Sequence, residues 1–123
     1  MNKLMIVDDS STMRKIIKRV LRQADIEVEN ILEAGNGVEA LEQLCANPDI
    51  ALILSDVNMP EMNGIELVKK VRESKDSDSL PIIMVTTEGG DTMIASAMGN
   101  GANGYVTKPF TPDSIRDALA EYL

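Results

Sequence analysis

Five short apolar runs punctuate the chain, and each is followed by a stretch in which apolar residues recur at helical spacing. The runs are Leu4 to Val7, a weaker Val28 to Leu32, Ala51 to Leu54, Ile82 to Val85 and Tyr105 to Thr107. Met13, Ile16, Ile17, Val20, Leu21 and Ala24 mark a first helix, with Ser10 or Ser11 available as its N-cap. Val38, Leu41, Leu44 and Cys45 mark a second, ended by Asn47-Pro48; Ile65, Val68 and Val71 line a third after Gly64. Ile94, Ala97, Met98 and Gly101 give a fourth. Thr111-Pro112 opens a fifth that buries Ile115, Ala118, Leu119 and Tyr122. Runs without strict polar alternation suit parallel strands covered on both faces. Strand–helix alternation then predicts an open, doubly wound α/β fold with one five-stranded parallel sheet. No linker, repeat or low-complexity segment interrupts the pattern, so residues 1–123 are expected to form one domain.

Charge and residue usage remove several classes of function. Twenty acidic against twelve basic residues give a net charge of −8, which disfavours nucleic acid or an anionic membrane as a partner. The longest apolar run, Ile50 to Leu54, is too short to cross a bilayer, and MNKLMIVDDSS is not a signal peptide. Cys45 is the single cysteine; it has no partner for an internal disulfide and is expected to be a reduced core residue of a cytoplasmic protein. There is no histidine, so Ser-His or Cys-His nucleophile pairs and His-ligated metals are ruled out. Chemistry here must run on carboxylates, hydroxyls, lysine and a hard metal ion.

Ligands of open α/β sheets bind outside the carboxyl ends of the strands. The first strand delivers Asp8-Asp9 there. The third, in the stretch LILSDVNMPEMNG, delivers Asp56; the fourth delivers Thr86-Thr87 and the fifth Lys108-Pro109. Each alone has an ordinary explanation as a solvated turn, a loop acid, a strand-end hydroxyl or a surface cation. Four strands ending in complementary chemistry at one edge is harder to reach by accident. Three crowded carboxylates repel unless a cation neutralises them. An all-oxygen donor set favours a hard ion, Mg²⁺ above all. With a lysine and a hydroxyl facing it, such a site suits a phosphoryl group. A carboxylate can itself be the nucleophile and form an aspartyl phosphate, and Asp56, at the exit of the central strand, is the best placed.

The segments MIVDDSSTMRKI, SDVNMPEMNGIEL, PIIMVTTE and GANGYVTKPFTP, in this order and spacing, resemble the receiver domain of bacterial response regulators. The resemblance covers essentially the whole chain and is strongest to the single-domain chemotaxis type. It implies a flavodoxin-like (βα)5 fold with strand order 2-1-3-4-5. It also implies Asp56 as phosphoacceptor and Mg²⁺ held directly by Asp9 and Asp56, through water by Asp8 and by the main-chain carbonyl of Asn58. Lys108 would contact the phosphoryl oxygens, Thr86 would turn its hydroxyl to them, and Tyr105 would change rotamer to follow. Asn58 and Glu88 occupy positions that tune the phosphate lifetime in the family, and this pair implies a short one. Thr87 stands where the family usually has a small residue, Glu88-Gly89-Gly90 reads as a hinge, and Pro109 often follows a cis peptide in the family. The implied partners are a histidine kinase of the CheA-like type as phosphodonor and a protein target, the flagellar motor switch. That target would bind on the face of the fourth helix, fifth strand and fifth helix. There this chain carries Gly90, Asp91, Ala118 and Glu121, where motor-binding members tend to show lysines. A cytoplasmic monomer without an output domain is expected, not an enzyme, although it assists its own phosphorylation and dephosphorylation.

Other readings meet specific obstacles. A phosphatase of the haloacid dehalogenase type wants a second acid two residues after the nucleophile, where this chain has Asn58. A flavodoxin needs a phosphate-binding first loop, which Asp8-Asp9 would repel, and aromatics to sandwich the flavin, which make up only 2% of this chain. A receiver acting as a phosphorelay intermediate or a phosphate sink stays open.

Overall fold

Leu4, Met5, Ile6 and Val7 are all fully buried, which a strand achieves only when both faces of its sheet are covered. The computed structural model describes residues 3–77, 79–86, 91–108 and 111–122. In chain order the elements are β1 (Lys3–Val7), α1 (Ser11–Gln23), β2 (Asn30–Ala34), α2 (Gly37–Ala46), β3 (Leu52–Asp56), α3 (Gly64–Arg72), β4 (Ile82–Thr86), α4 (Asp91–Gly99), β5 (Gly104–Thr107) and α5 (Pro112–Leu119), with a last 3-10 turn over Ala120–Tyr122. All pairings are parallel and the strand order is β2-β1-β3-β4-β5, the order that the resemblance implied.

Side-chain alternation along the strands makes two cores. Met5, Val7, Ile53, Ile82 and Met84 face α2, α3 and α4, meeting Leu44, Leu67, Val68, Val71 and Ala97. Leu4, Ile6, Leu52, Leu54, Ile83 and Val85 face the other way, onto Ile17 and Leu21 of α1 and Ile115 and Leu119 of α5. Each such aliphatic side chain contributes about 1.5–3 kcal/mol by leaving water. The helices start where polar caps allow. Ser10 accepts the Met13 N–H, and Asn63 with Glu66, like Thr111 with Ser114, forms a reciprocal capping box.

Three sequence expectations need correction. β2 lies two residues later than the run Val28 to Leu32, because its bounds follow the ladder to β1, Lys3 with Asn30 through Val7 with Ala34. An edge strand tolerates the polar Asn30 and Glu33 that hid it. Gly101 is not in the fourth helix, which ends at Gly99; it has φ +110°, and a Cβ there would meet the Arg72 side chain at 2.9 Å. Cys45 is exposed, not a core residue. The buried stripe of α2 runs through Gly37, Ala40 and Leu44. One residue past Leu44, about 100° further round the helix, Cys45 turns away from the sheet. Thr87, the segment Glu88-Gly89-Gly90 and Pro109 lie outside the described residues.

Candidate functional site

Parallel strands send all their carboxyl ends to one edge, and the chemistry assembles there. Asp8 follows β1 directly and is buried, with every polar atom engaged. Its N–H donates to the Ala34 carbonyl at 3.0 Å. Its Oδ1 accepts the Ser10 N–H at 2.9 Å, its Oδ2 accepts from Lys108 Nζ at 3.2 Å, and its carbonyl accepts from Arg14 Nη1 at 2.5 Å. Asp9 is exposed beside it. Asp56 ends β3, half-buried; its Oδ1 accepts the Val57 N–H at 2.8 Å and lies 3.8 Å from Lys108 Nζ. Lys108 follows β5 with a side chain only 10% exposed, so one ammonium bridges two carboxylates from different strands.

Carboxylate oxygens of Asp8, Asp9 and Asp56 lie within 4.8 Å of one another. Two of the three acids, Asp8 and Asp56, share one lysine. Burial pushes the Asp56 carboxyl above its ordinary value of 3.8; Lys108 opposes the shift, Asp8 and more weakly Asp9 reinforce it, and the Val57 N–H opposes it. This set fits a hard divalent cation: the donors are all oxygen, they converge, and they hold more negative charge than Lys108 offsets.

The raised value has a consequence for stability with a definite sign. Asp56 supports the fold while protonated, and that contribution is lost as pH rises from the ordinary carboxylate range through the raised pKa. Asp56→Asn cannot ionise. Its stability relative to wild type is expected to climb from about pH 4 towards neutrality and then level off. Urea unfolding across that range without divalent cations checks this, and a difference that shrinks with pH contradicts it.

The backbone under Asp56 is held tightly. The Gly64 N–H donates to the Val57 carbonyl at 2.8 Å, and the Ser55 hydroxyl donates to the Asp56 carbonyl at 2.9 Å. The Gly37 N–H donates to the Met62 carbonyl at 3.1 Å, tying the start of α2 to the loop after β3. A Cβ on Gly64 would lie 2.1 Å from the Asp56 carbonyl oxygen, so the helix start can approach the strand end only without a side chain.

The other predicted residues fall in graded positions. Thr86 ends β4, is buried, and accepts the Lys108 N–H on its carbonyl at 2.7 Å. Asn58 is exposed in the loop after β3. Tyr105 pairs with Met84 in the ladder, which puts it on the Thr86 face of the sheet, but its side chain turns outward, 48% exposed. Between them an apolar cleft under Met93 and Met98 has about 10 Å³ of free room. Glu88 lies outside the described residues. A groove of about 640 Å³ between the end of α1 and β2 is lined by Lys18, Arg22, Asp25 and Glu27 and contains none of these residues.

Sequence reasoning missed Arg14, Glu33 and the close approach at Gly64. Gly64 was legible as the start of a helix but not as a contact of Asp56. Arg14 and Glu33 are two charges among many, and nothing local marks them.

With this geometry in place, the comparisons with known proteins agree. Residues 4–120 match the response regulator receiver domain, and the chain belongs to that family, one of signalling domains rather than of classical enzymes. Among curated relatives, a chemotaxis protein CheY homolog of Campylobacter jejuni is 50% identical over 98% of this chain and 92% of its own length. Chemotaxis protein CheY1 of Helicobacter pylori is 51% identical over 95% of this chain and 93% of its own. The solved structure of Vibrio cholerae chemotaxis protein CheY4 superposes with a TM-score of 0.84 at 37% identity, covering 100% of this chain and 99% of that one.

Proposed function

We propose that this chain is a chemotaxis response regulator of the CheY type, switched by phosphorylation of Asp56. The observation that carries this is Lys108 bridging Asp8 and Asp56 at the edge where the three carboxylates meet. A histidine kinase of the CheA-like type is the donor. The Val57 N–H holds one oxygen of Asp56, which leaves the other to attack phosphorus while the kinase histidine departs. Asp9 and Asp56 hold Mg²⁺ directly, with the Asn58 main-chain carbonyl. Asp8 acts through water, which agrees with both of its oxygens already accepting N–H groups. The bound ion supplies positive charge against the carboxylates and the phosphoryl oxygens. Lys108 supplies the second cation, and Asn58 with Glu88 sets how soon water removes the phosphate. The protein thereby assists its own phosphorylation and dephosphorylation.

Phosphate brings about −1.5 to −2 units of charge where the carboxylate had −1. Thr86 turns its hydroxyl to it, and Tyr105 swings towards the space beside Thr86. That cleft is nearly full, so the ring enters only as α4 with Met93 and Met98 gives way. Moving a receiver from about 1% to about 99% active takes about 5.5 kcal/mol, within reach of two or three charge-assisted hydrogen bonds at about 1.5–3 kcal/mol each. The output then passes through the α4, β5 and α5 face, where Met98 and Tyr105 are exposed apolar side chains, to a target such as the flagellar motor switch. The chain matches these relatives over 92–93% of their length. Among the described residues no helix is long and apolar enough to cross a membrane. One feature favours a second reading as phosphorelay intermediate or phosphate sink: α4, with the sequence DTMIASAMG, offers no basic residue to a target.

The test is an amide NMR titration with Mg²⁺ and then beryllofluoride as phosphoryl mimic. Shifts are expected around Asp9, Asp56, Thr86, Tyr105 and Lys108. A spectrum that neither addition changes refutes the phosphoacceptor reading.

A further inference from the structure

The three carboxylates of the acidic cluster are oriented by groups outside the cluster. Asp8 and Asp9 sit on a tight connection between β1 and α1, and where their carboxylates point depends on what fixes that main chain. Besides the Asp8 N–H bond to the Ala34 carbonyl and the Ser10 N–H bond to Asp8 Oδ1, one side chain from α1 grips it. Arg14 lies on the first full turn of α1, and helical side chains lean towards the helix N-terminus. Its guanidinium therefore reaches back six residues, and Nη1 donates to the Asp8 carbonyl at 2.5 Å. Its Nε donates to Glu33 Oε1 at 2.9 Å, and the other oxygen of Glu33 accepts from Lys18 Nζ at 2.6 Å. Glu33 is anchored in turn. It pairs with Ile6 in the ladder and immediately precedes Ala34, whose carbonyl receives the Asp8 N–H. The Lys18 bond, with Arg14 adding to it against the cost of burial, keeps Glu33 below the usual carboxylate range and so charged. A planar, two-directional donor thus spans from edge strand to loop, a geometry that lysine cannot reproduce.

We propose that Arg14 is a positioning residue for the cation site: clamped by Glu33, it holds the main chain of Asp8 so that the Asp8 and Asp9 carboxylates converge with Asp56. The inference rests on the cation reading above but makes a separate prediction. A guanidinium bonded to the main chain of the site also acts as a charge, and the two roles have opposite signs. By charge alone, removing Arg14 lowers the local positive potential and strengthens cation binding. By positioning, removing it scatters the donors and weakens binding, as loss of an outer partner of a metal ligand typically does by 10- to 100-fold.

The experiment is an amide-shift titration with Mg²⁺ alone on the full chain, as wild type, Arg14→Gln and Arg14→Lys. Urea unfolding without Mg²⁺ runs beside it to confirm that each variant is folded. The expected result is about 10-fold weaker Mg²⁺ binding in Arg14→Gln, with apo shift changes centred on Asp8, Asp9, Ser10 and Ala34. Arg14→Lys keeps the charge and loses the two-point grip, so it is expected to bind weakly too. If Arg14→Gln does not fold, Arg14→Lys decides alone, because a pure charge effect leaves its affinity at the wild-type level. Affinity equal to or tighter than wild type in a folded variant overturns the positioning role and leaves the cation site standing. No Mg²⁺ response in wild type overturns both.

Discussion

Asp56→Asn is expected to take up no phosphoryl group from a small-molecule donor such as acetyl phosphate, under conditions where wild type gains one per chain. An amide has no carboxylate oxygen with which to form an acyl phosphate, and the variant is close to isosteric, so the Val57 N–H keeps its acceptor at the end of β3. The neighbours are poor substitutes. Asp8 is buried with both oxygens already accepting hydrogen bonds, and Asp9 sits exposed without a lysine contact among the described ion pairs. Intact-mass measurement before and after treatment reads the result. Asp56→Asn is also the variant whose stability relative to wild type rises with pH, so loss of phosphorylation in a better-folded protein would separate chemistry from damage. Wild-type levels of phosphate on the variant would move the acceptor elsewhere and end the proposed mechanism.

The second large effect is expected at Gly64. Adding a single methyl group there places Cβ 2.1 Å from the Asp56 carbonyl oxygen and 2.8 Å from the end of Met84. Met84 can shift, but a strand carbonyl cannot without moving Asp56 itself. Gly64→Ala is therefore expected to lose about 3 kcal/mol of stability, on the order of 10 °C in Tm for a domain of this size. What remains folded should bind Mg²⁺ more weakly, because the displaced atom belongs to the residue that carries the site. Gly99→Ala is the matched control: the space around Gly99 is open, and at the end of α4 the change should be neutral or stabilise by up to about 1 kcal/mol. Thermal unfolding of the pair checks both. A Gly64→Ala protein within about 0.5 kcal/mol of wild type, the range of an ordinary surface change, would show that the loop relaxes and that the close approach is not required.

The parts of this protein that were legible from residues alone are those written in local pattern. Four apolar strands, five helices and their caps, at Ser10 or Ser11 and at Thr111, follow from periodicity and short-range hydrogen bonding; the structure reproduces them and settles the first cap on Ser10. Once the strands run parallel, every strand exit lands on one edge, so the sequence alone groups Asp8, Asp9, Asp56, Thr86 and Lys108. What failed was equally physical. β2 was displaced because an edge strand is defined by its ladder to β1 and not by its own apolar content. Cys45 was assigned to the core because one step along a helix separates a buried position from an exposed one.

Only the tertiary structure decided the finer arrangement of the site. The lysine that bridges Asp8 and Asp56 is 100 residues from one and 52 from the other, and no local signal sets a distance of 3.2 or 3.8 Å between them. The nearly filled cleft between Thr86 and an outward Tyr105 depends on how α4 packs. The grip of Arg14 on Asp8 depends on Glu33 arriving from β2, a strand that sequence pattern barely marked. Local interactions choose the elements and their polarity; long-range packing and charge pairing choose which side chains meet, because those contacts exist only after the sheet has closed.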